Sequence, residues 1–225
     1  MSTQPAPTAP RRSDPRRFSR ATAAAITAWA LVLVGGMATL WVYAYRPAEG
    51  FDPPPHWPAN TLVQPRPGRT TLLMAVHPKC PCTRASINEL ARIMRYGFGR
   101  ADAHVLLFAP SGSDEQWAHT DLWASAEAIP GVAIHRDTDG AAAALFGTDS
   151  SGSVVLYDAQ GRRRFWGGVT AGRGHEGPNS GQDAVVRLMQ GLDSALTTSP
   201  VYGCRIHDDS CDGVCPPRPP GGSGI

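Results

Sequence analysis

An α/β domain behind a single transmembrane helix is what this 225-residue sequence predicts, and three observations predict it. A long uncharged apolar run lies near the N-terminus, strand-like and helix-like segments alternate after it, and Cys80-Pro81-Cys82 sits at the first strand-to-helix junction.

Residues 21–45 read ATAAAITAWALVLVGGMATLWVYAY, without a formal charge. At about 1.5 Å per residue this run spans a bilayer core of about 30 Å. Trp41, Tyr43 and Tyr45 crowd its end as an interfacial aromatic belt does. Arg11, Arg12, Arg16, Arg17 and Arg20 precede it, and a mixture of Arg46, Glu49 and Asp52 follows. That asymmetry predicts a single-pass protein of the bacterial inner (cytoplasmic) membrane, with its N-terminus in the cytoplasm and its C-terminal domain in the periplasm or an equivalent exported space. Val42-Tyr43-Ala44 resembles a cleavage site, but the apolar run exceeds a usual signal-peptide core, which favours an uncleaved anchor. The formal net charge is +2, and the early arginines belong to a basic tail (1–20). The folded part has no basic face, so no nucleic-acid partner is expected.

Residues 46–69 hold Pro47, Pro53, Pro54, Pro55, Pro58, Pro65 and Pro67, a composition that predicts an extended spacer. A domain follows over 70–197. Residues 70–76 form a continuous apolar run suited to a strand covered on both faces. In 83–96, Ile87, Leu90, Ala91, Ile93 and Met94 recur at helical spacing. A second buried strand at 103–109, a helix at 114–128 carrying Trp117 and Trp123, a short strand at 132–135 and a short helix at 141–146 come next. Residues 153–157 and 163–166, the latter ending at Trp166, make a hairpin across Asp158-Ala159-Gln160-Gly161. A helix at 182–196 closes the domain, and 198–225 reads as a flexible, cysteine-containing tail. The three tryptophans are expected in the core, and His56, His104, His119 and His135 at the surface or in packing.

This order resembles the thioredoxin-like fold of membrane-anchored TlpA/ResA-type proteins. The likeness is carried by LLMAVHPKCPC, by Asp137-Thr138-Asp139-Gly140 with Leu145-Phe146-Gly147, and by VVLYDAQGRRRFWGG. HPKCPCTRAS, GGVTAGRGHEG and Tyr202-Gly203-Cys204 more narrowly resemble RedB-labelled proteins, a thioredoxin-like group. The resemblance implies thiol-disulfide exchange on protein thiols or disulfides. Two features depart from the family pattern. One residue, not two, separates the cysteines, and Ser151-Gly152-Ser153 stands where a cis-proline normally faces them, with Gly152 aligned most nearly.

In an exported compartment thiols meet oxidants. Five cysteines cannot all pair internally, so at least one is free, catalytic, metal-bound or intermolecular. Residues two apart can bring their Cα atoms within the disulfide window of about 4.4 to 6.8 Å, but the small ring is strained and its bond easily reduced. Pro81 fixes the spacing of the two sulfurs, while His77, Lys79, Arg84 and the helix N-terminus favour a thiolate. Cys80 is expected to lead, by analogy with the family's N-terminal cysteine. A peroxidase would need Thr three residues before its reactive cysteine, where this chain has His77 before Cys80 and Lys79 before Cys82.

The glycine-rich loop holding Arg173-Gly174-His175-Glu176 follows the last hairpin strand. Its Gly172, Gly174 and Gly177 match a dinucleotide-binding spacing by accident, since the loop opens no βαβ unit. The antiparallel return of the strand brings His175 toward the cysteine turn. Cys80, Cys82 and His175 would then suit copper, or less readily zinc, with His77 as substitute ligand. Such a set resembles Sco-type copper proteins, making a copper metallochaperone the alternative function. A non-catalytic interaction domain is the third, and the exchange reading itself requires no cofactor. Cys204, nearest the closing helix, is the expected resolving thiol, and Cys204, Cys211 and Cys215 with His207 between the first two fit no strong zinc pattern.

Overall fold

The structure, a computed structural model, describes residues 19–48, 52–97 and 99–206. The basic residues before Ser19 and His207, Cys211 and Cys215 lie outside them. The chain divides into two units, Met1–Val42 and Tyr43–Ile225. In the first runs most of α1 (Arg20–Tyr45), a helix long and apolar enough to cross a membrane.

In the second unit, β1 (Thr70–Val76) is apolar at every position from Leu72 because both of its faces are covered. Leu72, Met74 and Val76 point into one core with Ile87, Leu90, Val154 and Val185. Leu73 and Ala75 point into the other with Leu106, Phe108, Phe146 and Tyr157. This period-two division of an unbroken apolar run is the signature of a central strand. β1 pairs in parallel with β2 (Ala101–Ala109), Thr70 opposite Ala101 and Val76 opposite Leu107. It pairs antiparallel with β4 (Ser153–Tyr157), Ala75 opposite Ser153. With β3 (Val132–Thr138), β5 (Arg163–Gly168) and β6 (Thr198–Ser199), the sheet order is β3-β2-β1-β4-β5-β6. α2 (Thr83–Gly97) packs against α6 (Ser180–Met189) on one side of the sheet. α5 (Ala141–Leu145) contributes Ala142 and Ala143 to the core on the other. A βα unit feeding a parallel strand, then an antiparallel hairpin and a last helix, is the thioredoxin-like topology.

Beside shifts of one to three residues at several element ends, four features differ from the sequence expectation. The helix expected over 114–128 is two, α3 (Glu115–Ala118) and α4 (Asp121–Glu127). Thr120 is extended between them, and Thr120-Asp121 is itself a helix-start signal. α6 stops at Met189 because Gly191 turns left-handed (φ 78°). The proline-rich stretch is not a free spacer from Pro53 onward. Trp57 packs edge-on against Phe146 and Tyr157, with centroids 5.0 and 5.2 Å away. Its N–H donates to Gly161 O (2.7 Å), the Tyr157 hydroxyl donates to Pro54 O (3.1 Å), and Val63 is buried. Polyproline geometry leaves backbone groups unpaired within the segment, and these bonds to the domain satisfy some of them. The stretch expected to be a flexible tail likewise continues as β6 and then as an ordered segment through Ile206.

Candidate functional site

The site is built at the C-terminal end of β1. After Val76 the chain turns, Cys80 N–H donating to His77 O (3.1 Å) and Thr83 N–H to Cys80 O (3.1 Å), and α2 begins at Thr83. Cys80 and Cys82 are both buried. The turn is pinned by a hydroxyl pair that sequence reasoning had not singled out. Ser151 Oγ accepts the His77 N–H (2.9 Å) and shares a 2.6 Å hydrogen bond with Thr83 Oγ1. Its only signal in the sequence was adjacency to Gly152.

Gly152 lies where the family's proline would stand. Its φ is +84°, its N–H donates to Ala75 O (2.8 Å), and a Cβ there would lie 2.4 Å from Ser86 Oγ on α2. Every described peptide bond is trans. The approach of α2 to this corner therefore requires glycine.

The third thiol arrives from far along the chain. Residues 201–206 run antiparallel to 149–151: Ser150 bridges Arg205, Ser151 N–H donates to Cys204 O (2.8 Å) and Ile206 N–H to Asp149 O (2.7 Å). Gly203 permits the contact, since a Cβ on it would stand 1.8 Å from Ser151 O. The result is a cluster in which the Sγ atoms of Cys80, Cys82 and Cys204 all lie within 4.8 Å of one another.

The three thiols do not share charge equally. Cys80 is held well below the usual thiol range by hydrogen bonds from the Cys204 thiol, then from the Cys82 thiol, with the Cys204 backbone N–H and the Thr83 hydroxyl adding to them against the cost of burial. Cys204 is pushed up in return, first by its hydrogen bond with Cys80, then by its contact with Cys82 and by burial beside them. Cys82 is pulled down by its bond from Cys204, but its donation to Cys80 and burial outweigh this, so it is raised; the Arg173 charge partly offsets the rise. Among the three, negative charge is therefore favoured on Cys80.

The remaining expected site residues fall differently. Lys79 places its ammonium 4.9 Å over the Trp117 ring, and Arg84 pairs with Asp121. With Pro78, Cys80 and Pro81 these residues line a shallow groove of about 140 Å³. His77 is buried, stacked on Phe108 at 5.2 Å, with Nδ1 accepting the Lys79 N–H (3.2 Å). His175 does not join the cysteines. Its N–H closes a tight turn to Gly172 O (3.2 Å), and its exposed ring hydrogen-bonds through Nδ1 with Arg173 O (3.0 Å). The loop is tied instead to α2, where Gly177 N–H donates to the buried Glu89 (2.6 Å) and Asn88 to Glu176 (2.7 Å). Of that constellation only Arg173 acts on the site, through its charge on Cys82.

No protein-family model matches the chain, and no curated protein sequence matches it. Among solved structures it is similar to a hypothetical protein of Sinorhizobium meliloti (TM-score 0.54, 16% identity, covering 70% of this chain and 96% of that one). It is similar also to an uncharacterized conserved protein of Geobacillus kaustophilus (TM-score 0.51, 13% identity, 72% and 92%). A looser likeness is to a secreted Mycobacterium tuberculosis disulfide oxidoreductase homologous to Escherichia coli DsbE (TM-score 0.41, 15% identity, 56% and 84%). At these identities the likeness is one of fold alone. Nothing in these comparisons supports the narrower likeness to RedB-labelled proteins.

Proposed function

We propose that this protein is a membrane-anchored thiol-disulfide exchange protein of the TlpA/ResA type, acting on protein thiols or disulfides outside the bacterial inner membrane, with Cys80 as its nucleophile. The observation that carries this reading is the meeting of the Cys80, Cys82 and Cys204 sulfurs within 4.8 Å of one another at the start of a helix, where Cys204, then Cys82, favour the thiolate of Cys80. Thiolate is the reactive form, and hydrogen bonds to it are what make one cysteine of several the nucleophile.

In the reducing direction, the Cys80 thiolate attacks one sulfur of a partner disulfide. A mixed disulfide forms, the partner's S–S bond breaks, and its leaving thiolate takes up a proton. With the negative charge gone from Cys80, what raised Cys82 is largely removed, while Arg173 still favours its thiolate. Cys82 then attacks the Cys80 sulfur and releases the second partner thiol, so two electrons pass to the partner and a Cys80–Cys82 disulfide remains. The short ring strains that bond and favours the reverse reaction, in which the protein hands its disulfide to partner thiols. Arg84, Asp121 and Lys79 border the groove through which a partner reaches Cys80.

The test is the reduction potential of the Cys80/Cys82 pair, together with turnover of a disulfide substrate by Cys80→Ser. The reading expects a potential above the value of about −300 mV below which stable structural disulfides lie, and turnover abolished in the variant. A potential in the structural range, or full activity without Cys80, would contradict it.

A further inference from the structure

We propose that Cys80, Cys82 and Cys204 form a three-thiolate site for one Cu(I) ion in the reduced protein. The sulfurs come from two chain segments more than a hundred residues apart, held together by the pairing of 201–206 with 149–151 and by the hydroxyl pin of Ser151 on Thr83. An ion at the centre of an equilateral triangle of 4.8 Å side would lie about 2.8 Å from each sulfur, so a contraction of about half an ångström reaches metal–thiolate bonding distance near 2.3 Å. Rotation about the Cys side chains covers that distance.

The donor set selects the metal. Thiolates favour Cu(I), zinc and iron–sulfur clusters. Structural zinc requires four ligands, and among the described residues no histidine, cysteine, aspartate or glutamate joins these three. Three soft donors satisfy Cu(I). Binding moves no electron: the ion enters as Cu(I), the sulfurs bond to it as thiolates, and the protons still on the thiols are released to solvent. The resulting centre is dianionic, and the Arg173 charge together with the positive end of α2 offset it. His175, the ligand expected from the sequence, has no part in it.

This goes beyond the exchange reading and is separable from it, because exchange needs Cys80 and Cys82 whereas the metal site also needs the Cys204 sulfur. The reduced full-length chain in detergent, without oxygen, is titrated with Cu(I) against a competing chelator and studied by X-ray absorption. The proposal expects one ion per chain with three sulfur neighbours. In Cys204→Ser it expects two sulfurs and an affinity at least tenfold weaker, and in His175→Ala an unchanged affinity. The sulfur count on the unaltered chain needs no variant to fold. No tight binding, two sulfurs in the unaltered chain, equal affinity in Cys204→Ser, or loss on His175→Ala would each overturn the site, whatever the outcome of the exchange assay.

Discussion

Two segments approach the Cys80 turn in the sequence expectation, and the structure exchanges their roles. The 172–177 loop, expected to bring His175 to the thiols, closes on itself and on α2. The 201–206 segment, expected to be loose, pairs with 149–151 and delivers Cys204. The difference lies in how each satisfies its backbone. The loop closes His175 on Gly172, bonds through the Arg173 N–H to Ala44 O (2.9 Å), pairs Glu176 with Asn88, and sets the His175 ring against Tyr45, with centroids 5.5 Å apart. The C-terminal segment donates and accepts main-chain bonds along a strand edge, and Gly203 lets it approach to a distance no side chain allows. A functional group is delivered where backbone pairing and close approach coincide, not where a reactive side chain lies near in topology.

The largest break in this comparison is at the shared target. Cys80→Ser should reduce exchange turnover at least about a thousandfold, since a hydroxyl is a far poorer nucleophile; steady-state reduction of a disulfide substrate reads this directly. Gly203→Ala comes next. Its methyl must displace the Ser151 carbonyl, costing about 1–3 kcal/mol of unfolding free energy and moving Cys204 off the cluster. Thermal unfolding measures the first effect and a rise in the Cys80 pKa the second. If Gly203→Ala is neutral in both, close approach is not what delivers Cys204.

Cys204→Ser sharpens the contrast further. With the strongest donor to Cys80 weakened, the pH–rate profile should shift toward higher pH while the plateau rate changes little. A smaller effect serves as a control away from both segments. His104 and His135 share a 2.9 Å hydrogen bond on neighbouring strands, with Asp102, itself paired to Arg66 and Arg69, facing His104. Burial, then His135, holds His104 down at about 4. The folded state thus binds fewer protons than the unfolded chain below pH 6.5, and stability is lost as pH falls from 6.5 toward 4. After allowance for solvent access the loss is on the order of 1 kcal/mol. Melting temperatures at pH 7 and 4.5 should converge in His104→Asn relative to the unaltered chain. The smallest effect is the most telling for the loop: His175→Ala should leave exchange within about twofold, as expected of an exposed side chain apart from the reacting atoms.

The fold was legible because its signals are local. The unbroken apolar run of β1, the helical spacing from Ile87 to Met94 and the Asp158–Gly161 turn each specify one element from neighbouring residues. The cysteine turn was legible for the same reason. Cys204 was named as a partner thiol, but the way it reaches the site was not legible, because that depends on approach between distant segments. Nothing around Tyr202-Gly203-Cys204 signals pairing to 149–151, since a glycine required by crowding looks the same in sequence as one in a flexible tail. The proline count around Trp57 reads as a spacer unless the Phe146 and Tyr157 face it covers is known. Lys79 and Arg84 lie beside the thiols in sequence, yet one sits over Trp117 and the other pairs with Asp121, while the charge acting on Cys82 comes from Arg173.

Whether Cys204 holds Cys80 as a thiolate is read by a pH titration of the Cys80 13Cβ chemical shift in the selectively labelled full chain. Cys80 should remain ionised well below the usual thiol range, and Cys204→Ser should move its midpoint upward. A Cys80 midpoint in the ordinary thiol range, or one unmoved by the loss of the Cys204 sulfur, would contradict it.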